Sequence, residues 1–269
     1  AETGSKVWDK ARQLEGGVRA PLVLLPGESG DLILAGTTSG FLSALKASDG
    51  SEVWRAKTEI SIPVAPLVVN TPAGRRILVT LETGVIRALT TDGQFDPKWR
   101  VTLGRFGASP VSSPVLSRDG KRFFIIGNDQ TLYAINIALA KTDFATPVAG
   151  LTDETPAVLG SRVLVAAGEN LISVGAGNGV VAWNLKLDGR ILGSPAGNAS
   201  ADGKGTVYAG TDAGTLYAVD LSTGKAKWRA NIGNSVTGTP LVTPNAIFVG
   251  TGNGLFVAVK PGAGTVACR

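Results

Sequence analysis

The absence of histidine limits the chemistry this sequence can perform. It removes the Ser–His–Asp triad, Cys–His pairs, zincin helices and every imidazole ligand or base. Cysteine occurs once, as Cys268, so neither an internal disulfide nor a CxxC metal site is available. Acidic clusters occur in "TDGQFD" (91–96) and "LTDET" (151–155), but neither has the alternating spacing of a calcium loop. The glycine-rich "GAGNGVV" (175–181) and "GTGNGLF" (250–256) resemble phosphate cradles superficially. No helical pattern follows either one, so both read as hairpin turns. What remains is arginine in loops: Arg19 in "EGGVRA", Arg105 in "LGRFGAS" and Arg190 in "DGRILGS". Phe106 beside Arg105 gives the composition of a protein-binding hot spot. Glu82 and Glu169, in a second loop type, are expected to face those arginines. No catalytic, cofactor-binding or metal-binding residue is assigned, and no cofactor is expected.

The elements that would carry these loops repeat. An apolar arm appears as "FLSAL" (41–45), "VIRAL" (85–89), "TLYAI" (131–135), "NLISV" (170–174), "TLYAV" (215–219) and "LFVAV" (255–259). The fourth residues, Ala44, Ala88, Ala134, Ser173, Ala218 and Ala258, are 44, 46, 39, 45 and 40 apart. That is close to the ~40–45 residues of a propeller blade. Ten or eleven residues after these anchors come Trp54, Trp99, Phe144, Trp183, Trp228 and Cys268. Trp8 stands in the same kind of context, so all five tryptophans occupy one repeat position. Each repeat also carries a proline before its first strand (Pro21, Pro66, Pro114, Pro156, Pro195, Pro240), where no ladder N–H is lost.

Each repeat therefore contains four short strands bounded by turn residues, and no stretch has a 3.6-residue period. A single four-stranded unit cannot bury both faces, whereas stacked units can. The expectation is an all-β, six-bladed propeller forming one domain over 1–269. Its repeats fall near 18–58, 61–103, 108–149, 154–188, 191–232 and 236–260. A strand at 3–10 is expected to complete the last blade and close the ring. In the alternative, "TVACR" is the sixth blade's own outer strand, and the chain is part of a seven- or eight-bladed propeller.

"LYAVDLSTGKAKW" resembles the repeat of the PQQ-like β-propellers, whose blades dock through tryptophan. The resemblance covers essentially the whole chain and is weakest at 130–150, where Phe144 replaces Trp. Its quinoprotein branch implies a vicinal cysteine pair, a calcium set and an Asp base, and none of these maps onto this sequence. Its non-catalytic branch, exemplified by BamB of the outer-membrane β-barrel assembly machinery, implies a scaffold. Sensor propellers of bacterial membrane kinases have similar repeats.

Composition agrees with a folded, non-membrane-spanning chain: 43% hydrophobic, 17% charged, and no apolar run of 18 residues. The chain lacks methionine, which implies a processed protein or an excised fragment. The net charge is +5 without a Lys/Arg run of five, so nucleic acid is not an expected partner. The expected function is a non-enzymatic, monomeric interaction scaffold, periplasmic or extracellular in a bacterial cell envelope. It would bind protein partners, with membrane association only through a partner or a lipid anchor. An extracellular sensor domain is the first alternative, and a quinone-dependent oxidoreductase the second.

Overall fold

The computed structural model describes residues 5–148, 150, 152–200 and 203–268. Among them there is no helix. Twenty-four strands form six four-stranded antiparallel sheets, each built from strands consecutive in the chain. Sheet one contains β1 (Val23–Leu25), β2 (Leu32–Gly36), β3 (Phe41–Lys46) and β4 (Glu52–Lys57). Sheet two contains β5 (Leu67–Thr71), β6 (Gly74–Thr80), β7 (Val85–Leu89) and β8 (Phe95–Thr102). Sheet three contains β9 (Val115–Leu116), β10 (Arg122–Gly127), β11 (Thr131–Asn136) and β12 (Lys141–Pro147). Sheet four contains β13 (Ala157–Leu159), β14 (Arg162–Ala167), β15 (Asn170–Gly175) and β16 (Val181–Lys186). Sheet five contains β17 (Ala196–Ala199), β18 (Gly205–Gly210), β19 (Thr215–Asp220) and β20 (Ala226–Asn231). Sheet six contains β21 (Leu241–Val242), β22 (Ile247–Gly250), β23 (Phe256–Val259) and β24 (Val266–Cys268). These are propeller blades, as the repeat predicts.

One expectation is corrected here. Residues 5–10 form no strand, and the sixth sheet takes its fourth strand from Val266–Cys268. The backbone explains this. "TVAC" follows β23 through a tight turn, with Lys260 N–H bonded to Thr265 O and Gly264 N–H to Lys260 O, so the nearest segment pairs first. Residues 3 and 4 of the expected strand lie outside the described residues.

The chain divides into two compact units. The first runs to Pro114 and includes Gly127–Asp129 and Ile135–Thr142; the second holds Val115–Ile126, Gln130–Ala134 and everything from Asp143. In the first unit, Leu34, Leu42, Ala44 and Ala56 of sheet one pack against Ile77, Val79 and Leu89 of sheet two. In the second, Leu164, Ala166 and Leu171 of sheet four meet Val207, Ala209 and Val219 of sheet five. Tyr208, Leu216 and Ala218 of sheet five in turn cover Ile247, Val249, Val257 and Val259. Small and β-branched side chains suit such faces, because sheets stack about 10 Å apart.

The repeat position of tryptophan has one job throughout. The residue paired across the ladder is small: Ala44 faces Trp54, Ser173 faces Trp183 and Ala218 faces Trp228. A β-bulge follows immediately in each pair and re-aims the outer strand. Each indole N–H then donates to a carbonyl of a neighbouring turn. Trp8 reaches Ala47 O at 2.9 Å, Trp54 Thr91 O at 3.0 Å, and Trp99 Ile137 O at 2.8 Å. Trp183 reaches Leu221 O at 2.9 Å and Trp228 Pro261 O at 2.8 Å. For Trp8, Trp54, Trp183 and Trp228 the ring lies against a glycine of that turn (Gly50, Gly93, Gly224 and Gly264), whereas the turn that receives Trp99 has Ala140 in that place. A Cβ on Gly224 would sit 2.6 Å from the Trp183 ring, and Gly224 has φ of +71°, so glycine is required twice over. Phe144 lies on Gly179 in the same way but has no N–H to donate.

Candidate protein-interaction site

The loops leaving each outer strand and those joining second and third strands do meet at one end of a blade. In the first unit, Leu103 N–H bonds to Gly84 O at 2.9 Å and Glu82 N–H to Ser61 O at 3.0 Å. In the second, Asp212 N–H bonds to Arg190 O and Gly252 N–H to Ser235 O, both at 2.9 Å. A main-chain link recurs from loop to loop: Thr38 to Gly17, Glu82 to Ser61, Asn128 to Ser109, Asp212 to Arg190, Gly252 to Ser235. Counted from it, the three arginines are not equivalent. Arg190 sits at the link, Arg19 two residues after its counterpart Gly17, and Arg105 four before Ser109. The loops differ in length, so spacing alone could not align them.

The Arg105–Phe106 pair is the most developed feature. Ala108 N–H bonds back to Leu103 O at 2.8 Å and closes the turn. Gly104 (φ +62°) and Gly107 (φ +84°) lie in the left-handed region, and a Cβ on Gly107 would meet Thr83 O at 2.3 Å. The turn has no room to fold inward, and Phe106 is pushed out to 92% exposure. The Arg105 guanidinium lies over its ring at 5.3 Å. Arg on an aromatic face is the arrangement that recurs in binding hot spots.

Of the remaining candidates, Arg19 and Glu82 belong to the first unit and Glu169 and Arg190 to the second. Arg19 is exposed, two residues beyond Gly17, whose backbone N–H donates to Thr38 Oγ1 at 3.1 Å. Glu82 is exposed, and the described ion pairs do not join it to Arg105. Glu169 pairs with Lys186 at 3.1 Å, and the described ion pairs do not join it to Arg190. Arg190 instead has an acidic setting that spacing did not reveal. Its N–H donates to Asp212 Oδ1 at 2.9 Å, and two residues earlier Asp188 accepts from the hydroxyls of Thr211 (2.9 Å) and Thr215 (2.7 Å).

A second polar cluster lies where the first strands of sheets four to six begin. Ser194 Oγ donates to Glu154 Oε2 at 3.4 Å, and Ser194 N–H donates to Thr239 Oγ1 at 3.1 Å. Burial pushes the Glu154 carboxyl above its ordinary value, and the Asp153 charge adds to the shift. The repeat places Glu154, Ser194 and Thr239 just before the prolines, but their contact was not legible because it depends on how the sheets stack. Among the described residues, no group of three or more His, Cys, Asp or Glu could hold a metal ion. With one cysteine in the chain, the quinone-stacking pair of the catalytic quinoproteins cannot be assembled.

A family model described as "Outer membrane protein assembly factor BamB" matches residues 1–96 and 82–266. BamB of Moranella endobia (strain PCIT) is 23% identical over 212 residues, covering 72% of this chain and 53% of that protein. BamB of Yersinia pestis is 22% identical over 211 residues, with the same coverages. The serine/threonine-protein kinase AfsK of Streptomyces griseus is 38% identical over 104 residues, which are 38% of this chain and 13% of the kinase. The chain thus spans 53% of the length of the assembly factors it matches. Among solved structures, BamB from Moraxella catarrhalis superposes with a TM-score of 0.53 at 18% identity, covering 92% of this chain and 84% of that one. The computationally designed Ika8 protein reaches 0.68 at 16% identity, covering 94% and 74%. At these identities the structural likeness speaks for the fold.

Proposed function

The chain belongs to the BamB family of PQQ-like propellers, and from that premise we propose that it is a non-enzymatic scaffold that binds proteins in a bacterial cell envelope. Its partners are then components of outer-membrane protein assembly, the process the family's description names. The observation that carries this reading is the Arg105–Phe106 turn. A rigid loop that holds a phenylalanine in water has no folding benefit to offer, since burying that ring would contribute about 1.5–3 kcal/mol. A partner with an apolar pocket and an acidic rim would take both side chains at once. Arg19 and Glu82 on the loops of the first unit, and separately Arg190 and Glu169 on those of the second, are assigned to peripheral contacts, where charges steer and select more than they hold.

The test is photocrosslinking in cells from a photoreactive residue placed at position 106. Crosslinks to an outer-membrane assembly component, with affinity for the purified component falling at least tenfold in Phe106→Ala and Arg105→Glu, are expected; tenfold corresponds to about 1.4 kcal/mol. Unchanged affinity in both variants would remove the site. The AfsK match favours a second reading, an extracellular sensor propeller carried by a kinase. An immunoblot of the native polypeptide separates the two, since the sensor reading requires a product large enough to hold a kinase domain.

A further inference from the structure

The turn between the first two strands of sheet one is an enlarged one. Six residues (26–31) join β1 to β2, whereas two join β5 to β6 and two join β13 to β14. Its two glycines shape it. Gly30 N–H bonds to Gly27 O at 3.1 Å, Gly30 has φ of +110°, and a Cβ on Gly27 would come 2.9 Å from Gly30 O. All six residues of the turn are exposed. Sheet two holds the turn from the side: Arg75, near the start of β6, donates from Nη1 to Pro26 O at 2.8 Å. Trp54 ties the same two sheets together by donating to Thr91 O at 3.0 Å. Both sheets belong to the first unit.

Between the turn and sheet two lies a cavity of about 380 Å³, within the roughly 300–1,000 Å³ of small-ligand sites. Its apolar lining is Leu25, Leu32 and Val53, of which Val53 is 48% exposed. Four charged side chains surround that floor. Glu28 and Asp31 come from the turn, Lys46 from the end of β3 and Arg75 from sheet two. Among the described residues, none of the four enters an ion pair. The nearby Asp49 carboxyl is held below its ordinary value by the Ser51 hydroxyl and N–H first, and by Lys46 after them. The lining contains no aromatic ring on which a base or a sugar could stack. Its two acids offset its two bases, so it has no surplus charge to attract a polyanion. An apolar floor between charges of both signs suits a ligand that itself carries both signs and an apolar group.

We propose that this cavity binds a short peptide with free ends and an apolar side chain. The side chain covers Leu25, Leu32 and Val53, and the terminal ammonium faces Glu28 and Asp31. The terminal carboxylate faces Lys46 and Arg75, whose remaining N–H groups take it through charge-assisted hydrogen bonds. Arg75 begins β6 and Glu82 follows its end, so the cavity and the Arg105–Phe106 turn lie at opposite ends of sheet two. Peptide binding here therefore goes beyond the scaffold reading and stands without it.

Titration of the ¹⁵N-labelled 269-residue chain with the dipeptide Leu-Leu, followed by NMR, tests the proposal. Shifts that saturate below ~10 mM are expected at the amides of Gly27, Gly30 and Ala47. N-acetyl-Leu-Leu and Leu-Leu amide each lack one charge and should bind at least ~5-fold more weakly. Leu-Leu should lose a similar factor with Glu28→Gln and with Lys46→Gln, exposed positions whose unchanged spectra elsewhere report an intact fold. Gly-Gly, which has no apolar side chain, should bind at least ~10-fold more weakly than Leu-Leu. Absence of saturating shifts by ~10 mM would overturn the proposal. So would equal affinity for the free and blocked dipeptides, equal affinity for Gly-Gly and Leu-Leu, or unchanged affinity in both variants.

Discussion

A tryptophan ring needs a flat floor, and in these turns that floor is a glycine. Gly224→Ala would press a methyl into the Trp183 ring while holding alanine at φ of +71°. A loss of about 2 kcal/mol is expected, measured by urea denaturation. Ala140 is the natural exception: it stands at φ +48° where Gly224 stands in "LSTGKAK". Ala140→Gly should therefore stabilise by about 1 kcal/mol, the cost of the left-handed conformation. Ser173 is a second anomaly, since other repeats have alanine there. Its hydroxyl is buried and, among the described side-chain atoms, has no hydrogen-bond partner. Ser173→Ala should raise stability by about 1–2 kcal/mol, because an unsatisfied polar group is relieved. Both anomalies are legible in the sequence as departures from the repeat. Their direction of effect is not, because it depends on φ and burial.

At the scale of elements, a capped hairpin turn and the loop leading into a first strand respond to pH in opposite senses. Asp220 Oδ1 accepts from Ser222 Oγ at 2.6 Å and from the N–H groups of Ser222 and Thr223 at 3.1 and 3.0 Å. These bonds, the Ser222 hydroxyl first, hold its carboxyl far below the ordinary value, and Lys227 at 3.4 Å assists. Its contribution is present above the unfolded value near ~3.9 and is lost as pH falls towards the folded one. Glu154 behaves oppositely. Its raised carboxyl costs stability at neutral pH, and the cost disappears as pH falls below about 4.3. Glu154→Gln should therefore melt higher than the parent at pH 7 and equally at pH 3.5. A constant gap across that range would show that the gain comes from packing. The strands themselves were largely legible, because arm, turn and tryptophan recur in phase. The outer strand of sheet six was not, since "TVACR" has no tryptophan and competed with Trp8's stretch. The loops were legible only as loops. Arg105 and Phe106 could be named from composition, whereas the positions of Arg19, Arg190 and Glu169 depend on loop lengths that vary between repeats.

Across the whole molecule, charge is unevenly distributed. The six outer strands hold eight Lys/Arg against three Asp/Glu, which equals the chain's entire net charge of +5. Outer strands are sheet edges, and basic side chains there oppose edge-to-edge pairing. The remaining residues carry equal numbers of positive and negative side chains. The repeat made the six sheets legible, but not the cavity beside the first, which depends on how the longer β1–β2 turn meets Arg75. The central claim is that every tryptophan is an indole clamped between one repeat and the next. It is tested most directly by hydrogen exchange of the ¹⁵N-labelled indole N–H groups in the native protein. The account predicts five signals, each slowed at least ~100-fold relative to free indole because each donates to a main-chain carbonyl. Free exchange at three or more of the five would contradict it.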